Sequence, residues 1–392
     1  MILNRQGVNS NIFRILLIGT FRTFSISMIS PYIGLLLYTK GMPLILVGIY
    51  YVVLAVSGAL GQLFGGMMSD RRGRRNTMIY TQLSNGISLF AMGLSLLFPG
   101  YMLISGMGII QNLFGSATFS AYNTYVGDMG SGQSELIKNY GLMRVGINLG
   151  WALGPLFGGV TIGFLGYSNA FLLAGVIILS SSILFWGLKE SYHAFSGFNL
   201  SAIKDTTFIK KISPFILSYV FLAQFGLTLT IYETTSLRMP LTYLGVLYFV
   251  NGIGVVLLQY HIARFLSKRD PLRWLKIGLV LYITGFLLLG LLRSYLGGIL
   301  AIAVVTIGEN IFSPLAMTIA NLLSKPEKRG TYLGAFGMLT SSARSMGSFV
   351  GSIMMSFLLL NPVGLWASMD SLGIMAIIAL SAGLKDLKQS RA

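Results

Sequence analysis

The residues of this chain that could do chemistry are a few charged side chains within long apolar runs. Glu233 and Glu309 are the acids deepest in such runs, and Arg22 and Arg344 are bases in the same situation. Ionisable groups in apolar surroundings are costly, so they mark functional positions by default. A carboxylate in a partly dehydrated cavity can bind and release a proton, which makes Glu309 the first proton-coupling candidate and Glu233 the second. The structural alternative is an ion pair between Glu309 and Arg344.

Covalent catalysis and metal binding have no candidate residues. The 392 residues include no cysteine and two histidines, His193 and His261, and neither HExxH nor GxSxG occurs. Nucleophile and base sets and zinc sites need such groups. We therefore expect no enzymatic activity, no metal site and no cofactor.

The elements that carry these charged residues are long apolar segments. Hydrophobic residues make up 54% of the chain and charged residues 10%, so the polar surface of a soluble domain cannot be covered. A spanning helix needs about 20 mostly apolar residues. The sequence contains twelve such runs, at approximately residues 16–38, 44–68, 77–98, 101–126, 140–165, 169–188, 214–236, 241–262, 275–292, 296–323, 332–360 and 363–384. The expected fold class is an all-α membrane protein with twelve transmembrane helices.

The basic residues are concentrated in alternate connections between these runs. Counted from a cytoplasmic N-terminus, 22 of the 28 lysines and arginines lie on the same side. Cytoplasmic loops carry this excess, so both termini are expected in the cytoplasm and the protein in the plasma membrane. The net charge of +17 is thereby explained without a nucleic-acid partner.

The chain divides into two similar halves. Residues 189–212 are the longest polar stretch, and they separate an N-terminal six-helix bundle, 1–188, from a C-terminal one, 213–392. The fourth run contains QNLFGS from Gln111, where the tenth contains ENIFSP from Glu309. Such internal similarity is expected of a duplicated six-helix unit.

The connection between the second and third runs is a motif of glycine, aspartate and arginines. Its defining residues are Gly66, Asp70, Arg71, Gly73, Arg74 and Arg75. They resemble the GxxxDRxGRR loop of the major facilitator superfamily, and this resemblance extends over essentially the whole chain. It implies the major facilitator fold and a gating role for the loop, with Asp128 as the expected partner of Arg74 or Arg75.

The fifth run has glycines at four-residue spacing. Together with their neighbours they are Gly146, Gly150, Gly154, Pro155, Gly158 and Gly159. Residues 150–159 resemble the GxxxGPxxGG motif of the superfamily's drug/proton antiporters. The alternative is a general helix-packing surface, because small residues let helices approach closely.

The resemblance also implies a central cavity lined by spans one, four, seven and ten. The substrate-cavity candidates are Arg22, Gln111, Asn112, Asn310 and Arg344. Two positions depart from the antiporter pattern: Gln111 replaces the arginine of span four, and span one carries Arg22 in place of an acid. The first departure removes the arginine through which the resemblance implies coupling, and the second weakens an expectation of cationic substrates.

The predicted function is secondary active transport by alternating access, with proton-coupled export of a small organic molecule. Uptake symport or facilitated diffusion of a small solute is the alternative, and a non-transporting receptor or assembly factor is an alternative of another class. The expected partners are a small-molecule substrate, protons and the lipid bilayer, and the expected state is a monomer.

Overall fold

A computed structural model describes residues 10–129, 133–190, 204–266, 269–324 and 329–385. Within these ranges the chain is helical and contains no β-strand. Most of the predicted linker (191–203) and both extreme termini lie outside the described residues. The all-helical prediction is confirmed for the part that is described.

The helices follow the apolar runs. The first half contains α1 (Ser10–Ser27), α2 (Ser30–Thr39), α3 (Leu44–Arg72), α4 (Arg74–Ser95), α5 (Met102–Asp128), α6 (Gln133–Ser181) and α7 (Ile183–Trp186). The second half contains α8 (Thr206–Ile212), α9 (Pro214–Leu222), α10 (Leu227–Ile231), α11 (Leu241–Leu266), α12 (Pro271–Leu291), α13 (Tyr295–Leu323), α14 (Arg329–Leu358) and α15 (Pro362–Gly383). A 3₁₀ turn (Ala223–Phe225) and a π-helical turn (Tyr232–Ser236) interrupt the seventh predicted span.

Among the described residues, nine helical segments are long and apolar enough to cross a membrane. The helices α4 and α14 are also long but more polar, and the segment Val145–Trp186 combines two predicted spans. Within it, Gly166 leaves the helical conformation at φ 80°, ψ 169°, a backbone region favourable to glycine. Several described helices can therefore span a membrane, and the count of twelve spans stays a prediction.

The chain forms two compact units, described here separately. Unit 1 comprises residues 1–42, 53–196 and 240–249, and unit 2 comprises residues 43–52, 197–239 and 250–392. The first two to three turns of α3 thus belong to unit 2, and the first turns of α11 belong to unit 1. The predicted bundle boundaries at 188 and 213 stay a prediction.

Close glycine contacts hold unit 1 together. A Cβ at Gly146, Gly150 or Gly154 would collide with α1, and a Cβ at Gly158 would collide with the backbone of Met28 directly after α1. Gly159 faces Leu241 and the Tyr32 hydroxyl, which donates to the Pro155 carbonyl oxygen at 2.6 Å. The fifth-run glycines therefore lie in a backbone-to-backbone contact.

Unit 2 combines a glycine contact with aromatic packing. Gly278 and Gly308 bring α12 and α13 together. Tyr219 on α9 packs edge-to-face against Phe312 at 5.7 Å and Phe336 at 6.2 Å between ring centroids. The apolar residues left outside both cores include Phe357, 80% exposed, and Leu360, 92% exposed. Such side chains suit a lipid environment.

Candidate functional site

The α3–α4 loop of unit 1 is organised around Arg74. This side chain is 6% exposed; its Nη1 lies 2.5 Å from Asp70 Oδ1, and its Nε lies 3.2 Å from Asp128 Oδ2. One guanidinium thus holds two carboxylates from different helices, a geometry that a planar fork of donors permits. Gly66 lies in α3 facing Ser120, and Arg71 is exposed.

Gly73 and Glu190 complete this loop. Gly73 has φ 89° and ψ 158°, a conformation that is essentially confined to glycine. The Glu190 carboxylate accepts hydrogen bonds from the backbone N–H groups of Arg75 at 2.9 Å and Asn76 at 3.1 Å. An anion at a helix N-terminus satisfies free N–H groups and the helix dipole. Glu190 thereby caps α4 from the far end of the first half, and the Arg75 side chain donates to the Phe185 carbonyl oxygen at 3.3 Å.

The α11–α12 loop of unit 2, at the corresponding position, is built differently. Arg269 stacks over Phe265 at 3.8 Å and lies 5.3 Å from the Trp274 ring centroid. The adjacent Asp270 caps α12 by accepting from the Leu272 N–H at 3.1 Å. At the described residues of this loop, Arg269 thus contacts aromatic rings and Asp270 forms a local helix cap, whereas Arg74 of unit 1 pairs with two carboxylates.

Arg22 is the buried cation of unit 1. It is 8% exposed, its Nη2 donates to the Gly115 carbonyl oxygen at 2.6 Å, and it lies 5.2 Å from the Phe119 ring centroid. Its Nε has no hydrogen-bond partner in the described structure, and no described carboxylate forms an ion pair with it. A buried charge without a counterion is unusual enough to mark a functional position.

The other two unit 1 candidates point to neighbouring helices. Gln111 donates to Asn85 Oδ1 on α4 at 2.9 Å, whereas Asn112 donates to the Leu54 carbonyl oxygen on α3 at 2.6 Å. Adjacent residues on a helix project in different directions, which separates these two amides. Gln111 lies near Gly115, whose carbonyl oxygen accepts the Arg22 hydrogen bond, whereas Asn112 points toward α3.

Glu309 in unit 2 is held by an amide. Its Oε2 accepts a hydrogen bond from Asn251 Nδ2 on α11 at 2.8 Å, and the same Nδ2 lies 3.1 Å from Thr306 Oγ1. Among the described residues no ion pair joins Glu309 to Arg344, so the structural alternative of a direct pair is wrong. Asn310 is fully buried and donates to the Thr306 carbonyl oxygen, leaving its own Oδ1 without a partner.

Arg344 lies near the middle of α14 and is exposed. Its guanidinium carbon is 4.9 Å from the Tyr219 ring centroid. Tyr219 and Tyr282 both lie within electrostatic range of Arg344 and of Glu309. The acid and the base therefore share two tyrosine neighbours without pairing directly.

Two further acids of unit 2 are buried. Glu233 is 1% exposed within the π-helical turn, and its Oε2 has no hydrogen-bond partner in the described structure. Asp370 on α15 is 5% exposed, and neither carboxylate oxygen has a described partner. The helix α15 therefore presents Asp370 to the protein interior.

Sequence reasoning missed Asn251 and Glu190. Asn251 is a lone amide within an apolar run, which is a detectable signal of a functional or packing role. Glu190 has no local signal, since its contact with Arg75 connects positions 115 residues apart.

The chain belongs to the Major Facilitator Superfamily, whose model matches residues 15–348. It is accordingly a multi-pass membrane transporter and not an enzyme. Among its relatives is the uncharacterized MFS-type transporter YttB of Bacillus subtilis (strain 168), which is 24% identical over 357 residues, covering 88% of this chain and 86% of the relative.

A second relative is the quinolone resistance protein NorA of Staphylococcus aureus. It is 23% identical over 356 residues, covering 88% of this chain and 89% of NorA. The solved nucleoside transporter NupG has a similar fold, with a TM-score of 0.80 at 12% identity over 96% of this chain and all of NupG. That likeness supports the fold and carries no information on the substrate.

Proposed function

We propose that this protein is a secondary active transporter that exports a small organic molecule in exchange for protons. The observation that carries the proposal is Glu309, a partly buried carboxylate on a spanning helix that accepts a hydrogen bond from Asn251 and pairs with no base in the described structure. An amide can donate to the ionised carboxylate or accept from its protonated form after rotation. The site can therefore hold both protonation states, as a proton carrier requires.

Export is supported by the similarity to NorA and by the fifth-run glycine motif. We further propose a plasma-membrane monomer with both termini in the cytoplasm. Its linker at 189–212 would join the two six-helix bundles, which alternate access around a central cavity. Uptake of the same solute would use the same groups with the opposite direction of net flux.

The test is transport by purified protein in proteoliposomes, with a quinolone as the first probe and a thermal-shift ligand screen to extend the panel. A pH gradient is expected to drive accumulation, and a protonophore is expected to abolish it. Glu309→Gln should abolish proton-driven accumulation and retain counterflow exchange, because glutamine mimics the protonated acid and keeps the shape.

Glu309→Asp and Asn251→Leu are the companion variants. The aspartate should retain some activity with an altered pH dependence, whereas Asn251→Leu should impair coupling by removing the hydrogen-bond donor. Wild-type uphill transport by Glu309→Gln would transfer the coupling role to Glu233. Flux that is indifferent to the pH gradient would instead identify facilitated diffusion.

A further inference from the structure

One side of α14 is a polar surface that the proposed proton site does not use. Gly334, Gly337, Ser341 and Arg344 follow one another at spacings of three or four residues, which places them on one side of the helix. All four are exposed, and a Cβ built at Gly334 or Gly337 would meet no atom within 4 Å. This α14 polar face therefore borders open space.

The open space beside Arg344 must contain water. Arg344 lies near the middle of a 30-residue helix, where an exposed guanidinium facing hydrocarbon would be strongly unfavourable. Of the exposed apolar side chains of α14, Phe357 lies on the opposite side of the helix, and Met338, 53% exposed, lies at the edge of this face. We infer that the α14 polar face is in contact with water.

Arg344 is also the uncompensated charge on this face. It forms no ion pair with a described carboxylate, and its guanidinium lies over the Tyr219 ring at 4.9 Å. The nearby acid, Glu309, is instead hydrogen-bonded to Asn251. When Glu309 is protonated, as proposed above, the guanidinium of Arg344 gives the cluster of Arg344, Tyr219 and Glu309 a net positive charge.

We propose that the α14 polar face binds an anionic group of the transported molecule, a carboxylate, sulfonate or phosphate. The guanidinium supplies a planar set of donors that matches such a group, and it is exposed while lying over the Tyr219 ring. The Ser341 hydroxyl adds a neutral donor one turn away. This assignment deepens the proposed function and rests on it, since it names the class of substrate.

The test uses the absence of native cysteine. Ser341→Cys places a thiol one turn from Arg344, where side chains at this spacing lie about 5–6 Å apart between Cβ atoms. Modification rates of the purified protein are measured with 2-sulfonatoethyl methanethiosulfonate, an anion, and 2-(trimethylammonium)ethyl methanethiosulfonate, a cation. Relative to a free thiol, the anionic reagent is expected to be favoured. Arg344→Gln should then lower the anion-to-cation ratio about tenfold.

Two variants control for charge and position. Arg344→Lys keeps the charge and should keep most of the ratio, whereas Arg293→Gln removes an exposed arginine elsewhere and should leave the ratio unchanged. If Arg344→Gln does not fold, the anion-to-cation ratio of the Ser341→Cys protein with Arg344 present is compared with the ratio of the free thiol. That comparison still tests whether this face attracts anions. No modification by either reagent, or a ratio at or below the free-thiol value, would overturn the proposal.

A second measurement addresses ligand chemistry. Benzoate and benzamide have nearly the same shape and differ in charge, and each is tested for slowing modification of the introduced thiol by neutral N-ethylmaleimide. Benzoate should protect more than benzamide with Arg344 present, and Arg344→Gln should remove the difference. Equal protection, or none, would overturn anion recognition. These rates need no proton gradient, so failure of proton coupling in proteoliposomes is a separate result.

Discussion

The α3–α4 loop and the α11–α12 loop occupy corresponding positions in the two halves and are stabilised by different interactions. In the first, Arg74 joins Asp70 and Asp128, and Glu190 caps the next helix. In the second, Arg269 lies over the Phe265 ring and within cation–π distance of the Trp274 ring, and the helix is capped locally by Asp270. The ionic loop connects four segments of unit 1 through partly buried charges, whereas the aromatic loop is exposed and local. A switch that depends on making and breaking ion pairs can therefore reside in the first loop.

The largest effect is expected from Arg74→Gln. Removing a buried guanidinium strands two carboxylates, at a cost of about 3 kcal/mol since both acids keep some contact with water. We expect a clear fall in the thermal unfolding temperature in detergent and loss of transport in proteoliposomes. Arg71→Gln is the matched control, because Arg71 is exposed and belongs to the same loop.

Charge exchange sharpens this prediction. The double variant Arg74→Asp with Asp128→Arg restores one pair but sets a carboxylate beside Asp70, so we expect poor rescue. Full rescue would mean that Arg74 and Asp128 act as an isolated pair, which would contradict the three-residue network.

A smaller effect is expected from Gly73→Ala. A side chain at φ 89° costs about 1–3 kcal/mol, and its Cβ would lie 2.5 Å from the Glu190 carboxyl carbon. Gly100→Ala serves as the control, since Gly100 also has positive φ, at 82°, but nothing within 4 Å of a built Cβ. The unfolding temperature should fall more for Gly73→Ala, and transport should fall with it. Equal losses for the two variants would show that the Glu190 contact contributes nothing.

The smallest effect is expected from Arg269→Ala. Exposed cation–π contacts contribute about 0.5–1 kcal/mol, so the unfolding temperature should change little and transport should persist. The unfolding temperature of Arg269→Lys should lie between those of the wild type and Arg269→Ala, because a lysine keeps the charge and loses the planar contact with the ring. Transport lost to the same degree as in Arg74→Gln would make the two loops equivalent and remove the contrast.

The candidate sites were predicted unevenly. The charged and amide residues themselves were identified, because a polar side chain in an apolar run stands out from its neighbours. Their partners were not: Glu309 pairs with Asn251 in place of Arg344, and Gln111 and Asn112 diverge toward different helices. Helix rotation about its own axis decides such pairs, and a rotation of one residue moves a side chain by about 100°.

The sequence by itself determined that the protein lies in a membrane and which family it belongs to. Run length, low charge and the Asp70 motif depend on residues close together in the chain, and they suffice for an all-helical membrane transporter. The tertiary structure alone decided which charges are neutralised and which remain available: Arg74 is shared by two acids, Asp370 is turned inward, and Arg344 is left open on α14. Those outcomes depend on contacts between helices far apart in sequence, where packing selects one side of each helix for the interior and leaves the other to lipid or water.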